Sequence, residues 1–302
     1  MAEGTIPAPV SDAPPKARGG IDVLFWLGVV IVATVSVLAA VGPGIAPYDP
    51  TRAAFPPSMP PPAVADWPAL WWGRITGAVD VPPHWFGTDA NGFDVFSRVI
   101  AAPRVDLTIA LAANLLSLVL GVFLGLVAGY FRNVLTEGMM RVSDVLQSFP
   151  VFISAMILVA LAGRSTGNIV IALALLYTPI YIRLTRAEVM AQRVRGYVEA
   201  ARALGNREAV IALRHVLPNS LAPALIQSSV TIGFAILLTA GLSFVGAGVR
   251  PPAPEWGLMI STGANQIILG EWWPSVFPGI AISLTVFGFA ALGNALERRY
   301  EG

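Results

Sequence analysis

Cysteine is absent from all 302 residues, which excludes a disulfide framework and any thiolate metal site. Histidine occurs only at His84 and His215, too few for an ordinary zinc site without cysteine. No metal site and no catalytic residue is therefore assigned. The one lysine, Lys16, is followed by Ala17, whereas a phosphate-binding loop needs Gly-Lys followed by Ser or Thr, with the lysine reaching the terminal phosphates. If energy from ATP is used, another protein supplies it. Charged residues are scarce as well, at 12% against about a quarter in soluble domains. A net charge of +1 carries no argument for nucleic acid, and no nucleic-acid partner is expected.

What the chain has instead is apolar sequence, 55% of its residues. A helix needs about 20 apolar residues to cross a hydrocarbon core. Six runs qualify, roughly 22–42, 106–130, 140–162, 168–187, 221–248 and 274–294. The expected fold class is an all-α membrane protein with six transmembrane helices in a lipid bilayer. The fourth run is short, and Arg183 and Arg186 have to snorkel toward the headgroups to complete it. With the N-terminus inside, 13 of the 19 basic residues lie on the cytoplasmic side, the arrangement the positive-inside rule favours. Six spans then place both termini in the cytoplasm.

The first run has an apolar core, Val23 to Val41, longer than that of a signal peptide, so it reads as an anchor. The Pro-, Ala- and Gly-rich tail over 1–20 has almost nothing to bury and is expected to be disordered. Between 43 and 104 lies a Pro-rich external segment with Trp67, Trp71, Trp72 and Trp85. It reads as a packed cap at the outer membrane surface rather than a ligand pocket.

Spans two, five and six carry no ionisable residue in their deep portions, which disfavours a proton- or sodium-coupled carrier. Arg141 and Asp144, spaced i and i+3, read as a local ion pair. Asn114, Ser117, Gln147, Thr178, Gln227, Ser228 and Thr231 either line a path or bond between helices; the sequence leaves both open.

One helix-forming stretch between apolar runs is polar: "YVEAARALGNREAVIALRHVLPN", Tyr197 to Asn219. Ala and Leu favour helix, Gly205 can end it in a left-handed conformation, Asn206 is a plausible N-cap, and Pro218 stops the second helix. An amphipathic helix resting on headgroups would show the same periodicity.

The order Glu199-Ala200-Ala201, three residues, Gly205, nine residues, His215-Val216-Leu217-Pro218 resembles the EAA loop of bacterial ATP-binding-cassette importer permeases, E-A-A-x3-G-x9-I-x-L-P, with His215 at the isoleucine position. "WFGTDANGFDVFSRVIAAPRVDL" (85–107), "GLSFVGAGVRPPAPEWGLMI" (241–260) and "VFPGIAISLTVFGFAALGNAL" (276–296) are similar to the C-type permeases of the dipeptide, oligopeptide and nickel family. Phe93 stands where arginine is usual, and Arg250 where glutamine is.

The resemblance implies a type I importer permease fold over 105–297, with a coupling loop at 190–220 and a tail at 298–302. It implies that Tyr197, Glu199, Ala200, Ala201, Leu204, Gly205, His215, Leu217 and Pro218 couple to an ATPase. It implies two ATP-binding-cassette ATPase subunits using ATP and magnesium, a second homologous permease, an extracytoplasmic substrate-binding protein, no cofactor on this chain, and a bacterial inner-membrane location. Arg250, Glu255 and Trp256 are expected at the outer mouth, as contacts for the binding protein or as partners of neighbouring groups. Peptide is the implied cargo; nickel, a haem-like compound or an antimicrobial peptide are alternatives within the architecture. An autonomous channel or carrier, and a membrane anchor that only recruits cytoplasmic proteins, are the readings from other classes.

Overall fold

The computed structural model describes residues 23–77 and 82–301. The tail expected to be disordered, 1–20, lies outside them. Among the described residues the chain is helical, with one isolated β-bridge between Thr88 and Asp94. In order the helices are α1 (Val23–Ile45), α2 (Trp67–Ile75), α3 (Val95–Ala101), α4 (Pro103–Tyr130), α5 (Val134–Ser148), α6 (Val151–Ala162), α7 (Thr166–Gln192), α8 (Gly196–Ala203), α9 (Glu208–Ile211), α10 (Leu217–Ser220), α11 (Ala222–Phe244), α12 (Trp256–Ala264) and α13 (Trp273–Glu301).

Five stretches are each long and apolar enough to span a membrane, namely α1, α3 with α4, α7, α11 and α13. The sixth expected span, 140–162, is not one rod. It is divided into α5 and α6, bent by 96°. The break falls at Phe149–Pro150, where proline ends α5 by disfavouring helical backbone in the residue before it and then opens α6.

The bundle is centred on α4, packed against α7 and crossed by α11. Gly121, Gly125 and Gly129 form one face of α4, four residues apart. A Cβ built on them would lie 2.3 Å from Tyr181 Cβ, 2.7 Å from Thr185 Cβ and 2.8 Å from Val189 Cγ1. Without side chains there, the helix backbones approach closely enough for van der Waals packing to hold them in lipid, where apolar surface gains nothing by pairing. Outside this core, α1 lies along α13: a Cβ on Gly28 would meet the Gly288 carbonyl at 3.0 Å.

One electrostatic reading changes. Asp144 pairs with Arg183 on α7 at 2.7 Å rather than with Arg141 on its own helix, and Arg186 pairs with Glu137 at 2.7 Å. The arginines expected to snorkel thus tie α7 to α5. Spacing along one helix could not show this because the partners come from a second helix.

At the end of the bundle where α4 begins, residues 46–77 and 82–94 form a packed cap. Trp67 and Trp85 meet edge to face at 5.8 Å, and Phe86 stacks on Phe277 of α13 at 3.9 Å. Asp94 caps α3 by accepting from the Ser97 N–H at 2.8 Å, and its other oxygen meets His84 Nδ1 at 2.7 Å. Buried Arg98 donates to the carbonyls of Pro50 (3.0 Å), Pro252 (3.2 Å) and Ala253 (3.3 Å). Phe93, which replaces the usual arginine, lies under its guanidinium at 4.4 Å. One side chain therefore joins the cap to the 250–254 turn. Arg98→Met is expected to leave three carbonyls without their donor and to cost on the order of 3 kcal/mol or more, since hydrogen bonds to charged groups contribute about 1.5–3 kcal/mol each. A lower melting temperature in detergent, with no change in helix content, is the expected reading.

Candidate functional site

Segment 193–220 sits at the opposite end of the bundle from the cap. Its inward side chains, Val198, Ala201, Ile211, Ala212 and Val216, are buried with Leu126 and Tyr130 of α4 and Val189 of α7, and Leu217 packs against this cluster. Arg193 adds hydrogen bonds to the carbonyls of Gly129 (3.3 Å) and Tyr130 (3.0 Å). The segment is thus seated by its own small core on the ends of the two most closely packed helices. It does not lie free on a membrane surface.

The turn follows from its residues. Gly205, at φ +80°, is the left-handed residue after α8. Its N–H donates to the Arg202 carbonyl at 3.0 Å and the Asn206 N–H donates to the Ala201 carbonyl at 3.3 Å, the paired bonds of a Schellman end. Asn206 was expected to be the N-cap of the next helix, but Arg207 holds that position, without a side-chain bond. The Asn206 carboxamide turns back instead and donates to the Ala201 carbonyl at 2.9 Å. Pro218 does not stop the second helix either. A wider π turn, Ala212–Val216, precedes α10 and leads into it, with Pro218 in the first turn of α10. There its missing N–H would be unpaired in any case.

Across the turn, Arg202 Nε donates to Glu208 Oε1 at 2.6 Å and Nη2 to Oε2 at 3.1 Å, and the Tyr130 hydroxyl donates to the same carboxylate. Hydrogen bonding first to Arg202 and then to Tyr130 pulls the Glu208 pKa down to about 2, and Glu208 in turn pushes Arg202 up. A depressed carboxyl pKa contributes above the ordinary carboxylate range and is lost only as pH falls toward 2. The bridge therefore holds α8 against α9 at any pH near neutrality.

The candidate residues divide by position. Ala201 is buried, Leu217 and His215 are half-buried, and Tyr197 donates to Gln192 Oε1 at 3.1 Å; these seat the segment. Glu199, Ala200, Gly205 and Pro218 are exposed, and Leu204 presents 84% of its surface beside the turn. A Cβ added at Gly205 would meet nothing within 4 Å. An apolar tip with open space around it, fixed to a rigid base, is suited to insertion into another surface.

The second candidate set is corrected in part. Glu255 is fully buried, its two oxygens accepting from the N–H groups of Gly257 (3.0 Å) and Leu258 (2.6 Å) at the start of α12. Trp256 is buried as well and donates from Nε1 to the Val99 carbonyl at 3.1 Å. Neither is on the surface to meet another protein. They build the outer end, and burial pushes the Glu255 carboxyl up from its ordinary value. Arg250 is exposed.

Residues 121–302 match the family described as binding-protein-dependent transport system inner membrane component. The chain belongs to this family. Among its relatives, the dipeptide transport system permease protein DppC of Alkalihalophilus pseudofirmus is 39% identical over 214 residues, 71% of this chain and 70% of the relative. The di/tripeptide transport system permease protein DppC of Pseudomonas aeruginosa is 35% identical over 279 residues, 89% and 85% of the two chains. The glutathione transport system permease protein GsiD of Pectobacterium atrosepticum is 36% identical over 214 residues, 71% of each. This permease is accordingly a multi-pass inner-membrane transport component and not an enzyme. The family match contains the whole of segment 193–220, whereas the external cap lies before it.

The glycine face of the permease, Gly121, Gly125 and Gly129, escaped the sequence reading. Its signal was available in "GVFLGLVAG", a four-residue repeat of glycine within an apolar span.

Proposed function

We propose that this chain is one permease half of an ATP-driven importer of dipeptides and other short peptides. A second, related permease would complete the pathway. Two ATPase subunits, using ATP and magnesium, would seat on segment 193–220, and an extracytoplasmic binding protein would deliver cargo to the capped end. In this reading α1 begins and α13 ends in the cytoplasm, on the side of the seat. Closure of the ATPase pair pushes α8 and its turn, and the rigid base carries that push into α4 and α7, switching the cavity between outward and inward openings. The observation that carries the reading is the exposed Leu204–Gly205 tip, held by a buried core and the Arg202–Glu208 bridge on the ends of those two helices. Glu199, Ala200, Leu204 and Gly205 make the contact; Ala201 and Leu217 hold its shape. Peptide cargo rests on the names of the relatives, which specify dipeptides, di- and tripeptides and glutathione.

The test is uptake into proteoliposomes holding the complex expressed from the native operon. ATP-dependent accumulation of labelled dialanine, stimulated by the cognate binding protein, is expected. Uptake of nickel with no uptake of any peptide would refute the cargo; uptake without ATP would refute the importer.

A further inference from the structure

The polar residues of the spans, ambiguous in sequence, separate into two sets. Asn114, Tyr181 and Ser228 bond to one another across α4, α7 and α11, Ser117 donates to the Asn114 carbonyl at 2.9 Å, and Thr178 donates to the Ala174 carbonyl at 2.7 Å. These satisfy themselves inside the bundle. Gln147, Tyr177, Gln227 and Thr231 instead line one cleft of about 470 Å³, a size suited to a small ligand. Tyr177 is 94% buried (6% exposed), and its hydroxyl has no hydrogen-bond partner among the described residues. Gln147 has none either, and Gln227 Nε2 reaches only Thr231 Oγ1 at 3.4 Å.

The cleft opens where the bent pair α5–α6 leaves the bundle, and Phe149 and Val151, flanking Pro150 at the break, are part of its wall. Hydrocarbon cannot satisfy an unpaired carboxamide or phenol, nor the backbone groups freed at a helix break. Irregular backbone at membrane depth is tolerated only against protein or beside a water-filled cavity. Tyr177 and Thr231 lie toward the middle of α7 and α11, Gln147 lies beside the α5–α6 break, and Gln227 lies one turn of helix before Thr231, so this face requires water or a polar occupant.

We propose that this cleft is the chain's wall of the cargo path and that it takes the amide backbone of a peptide. The inference rests on the importer reading above. Two carboxamides, a phenol and a hydroxyl each donate and accept, as an amide requires, while Leu146, Ile180 and Phe234 supply apolar walls for side chains of any kind. No charged residue lines the cleft. Bonding without a fixed counter-ion suits passage, because a path must bind cargo weakly enough to release it.

The absence of cysteine makes the test direct. In the assembled complex, Gln147→Cys and Gln227→Cys are expected to react with a membrane-impermeant thiol reagent in the nucleotide-free or the ATP-bound state, and millimolar dialanine should slow the reaction several-fold. Val37→Cys, on the exposed face of α1, should not react. Gln147→Leu with Gln227→Leu should raise the KM for dialanine uptake about tenfold or more, the loss expected for one or two hydrogen bonds, with ATPase co-purification unchanged. Cysteines that stay unreactive in both states of a complex that still hydrolyses ATP, or an unchanged KM in the double variant, would overturn the assignment and make these groups contacts between permeases. Loss of the ATPases from the unsubstituted complex would instead be a failure of the importer reading.

Discussion

Replacing Gly125 by leucine is expected to leave almost no folded permease in the membrane. A Cβ at this position already lies 2.7 Å from Thr185 Cβ, 2.8 Å from the Ile182 carbonyl and 3.3 Å from the Arg186 N–H. Two of these are backbone atoms, which cannot rotate away as the end of a flexible side chain could. Overpacking a tight core costs about 1–3 kcal/mol, and a leucine here does more than overpack. It separates α4 from α7 along the face that also holds Gly121 and Gly129. The Tyr181–Asn114 bond and the base of segment 193–220, which rests on Leu126, Tyr130 and Val189, would separate with it. Gly125→Ala should show the same defect to a smaller degree. Fluorescence-detected size exclusion after detergent extraction provides the measurement: a monodisperse peak for the unsubstituted chain, a reduced peak for alanine, and aggregate for leucine. A normal peak for leucine would mean that α4 and α7 do not pack as described.

The second large effect is confined to function. Leu204 is 84% exposed beside the left-handed turn, so Leu204→Glu should not disturb the fold. Its removal from an ATPase groove is expected to cost about 2–4 kcal/mol, the range of an apolar anchor at a protein interface. A carboxylate carried into that groove without a partner adds a desolvation penalty. ATPase subunits should then be lost from the purified complex, and binding-protein-stimulated ATP hydrolysis should fall to background. Leu204→Met, which keeps volume and apolarity, should retain both. Gly205→Asp should show a similar loss with a further backbone contribution, since a side chain at φ +80° costs on the order of 1 kcal/mol. Normal assembly and normal coupled hydrolysis in Leu204→Glu would mean that the exposed tip is not the contact.

Local chemistry was legible in the sequence and tertiary partnership was not. The Gly205 turn was readable because a left-handed helix end is decided by one residue. Asn206 was misassigned because asparagine can cap the helix after it or the helix before it; the choice depends on whether its carboxamide reaches Ala201. Five of the six spans follow from apolar length, but the third, read as one run over 140–162, joins a polar-faced half carrying Arg141, Asp144, Gln147 and Ser148 to a wholly apolar one. That change of character, with Pro150 at the junction, marked the bend. Asp144 was given a partner on its own helix by spacing, whereas α7 brings Arg183 to it. Glu255 shows the converse error. A carboxylate in a Pro-rich loop suggests exposure, yet here it caps α12 with both oxygens while fully buried. The division of the polar span residues into a satisfied set and a cleft-lining set depends on which helix faces which, and no spacing rule contains that.

The central claim is that segment 193–220 is the seat of a separate ATPase. Its most direct measurement is purification of the tagged chain in mild detergent with its native operon co-expressed, with subunit ratios read by mass spectrometry. Two ATPase copies and one different permease per tagged chain, with the ATPases lost selectively from Leu204→Glu, is the predicted result. A chain that purifies alone or only with itself, in more than one detergent, would contradict it.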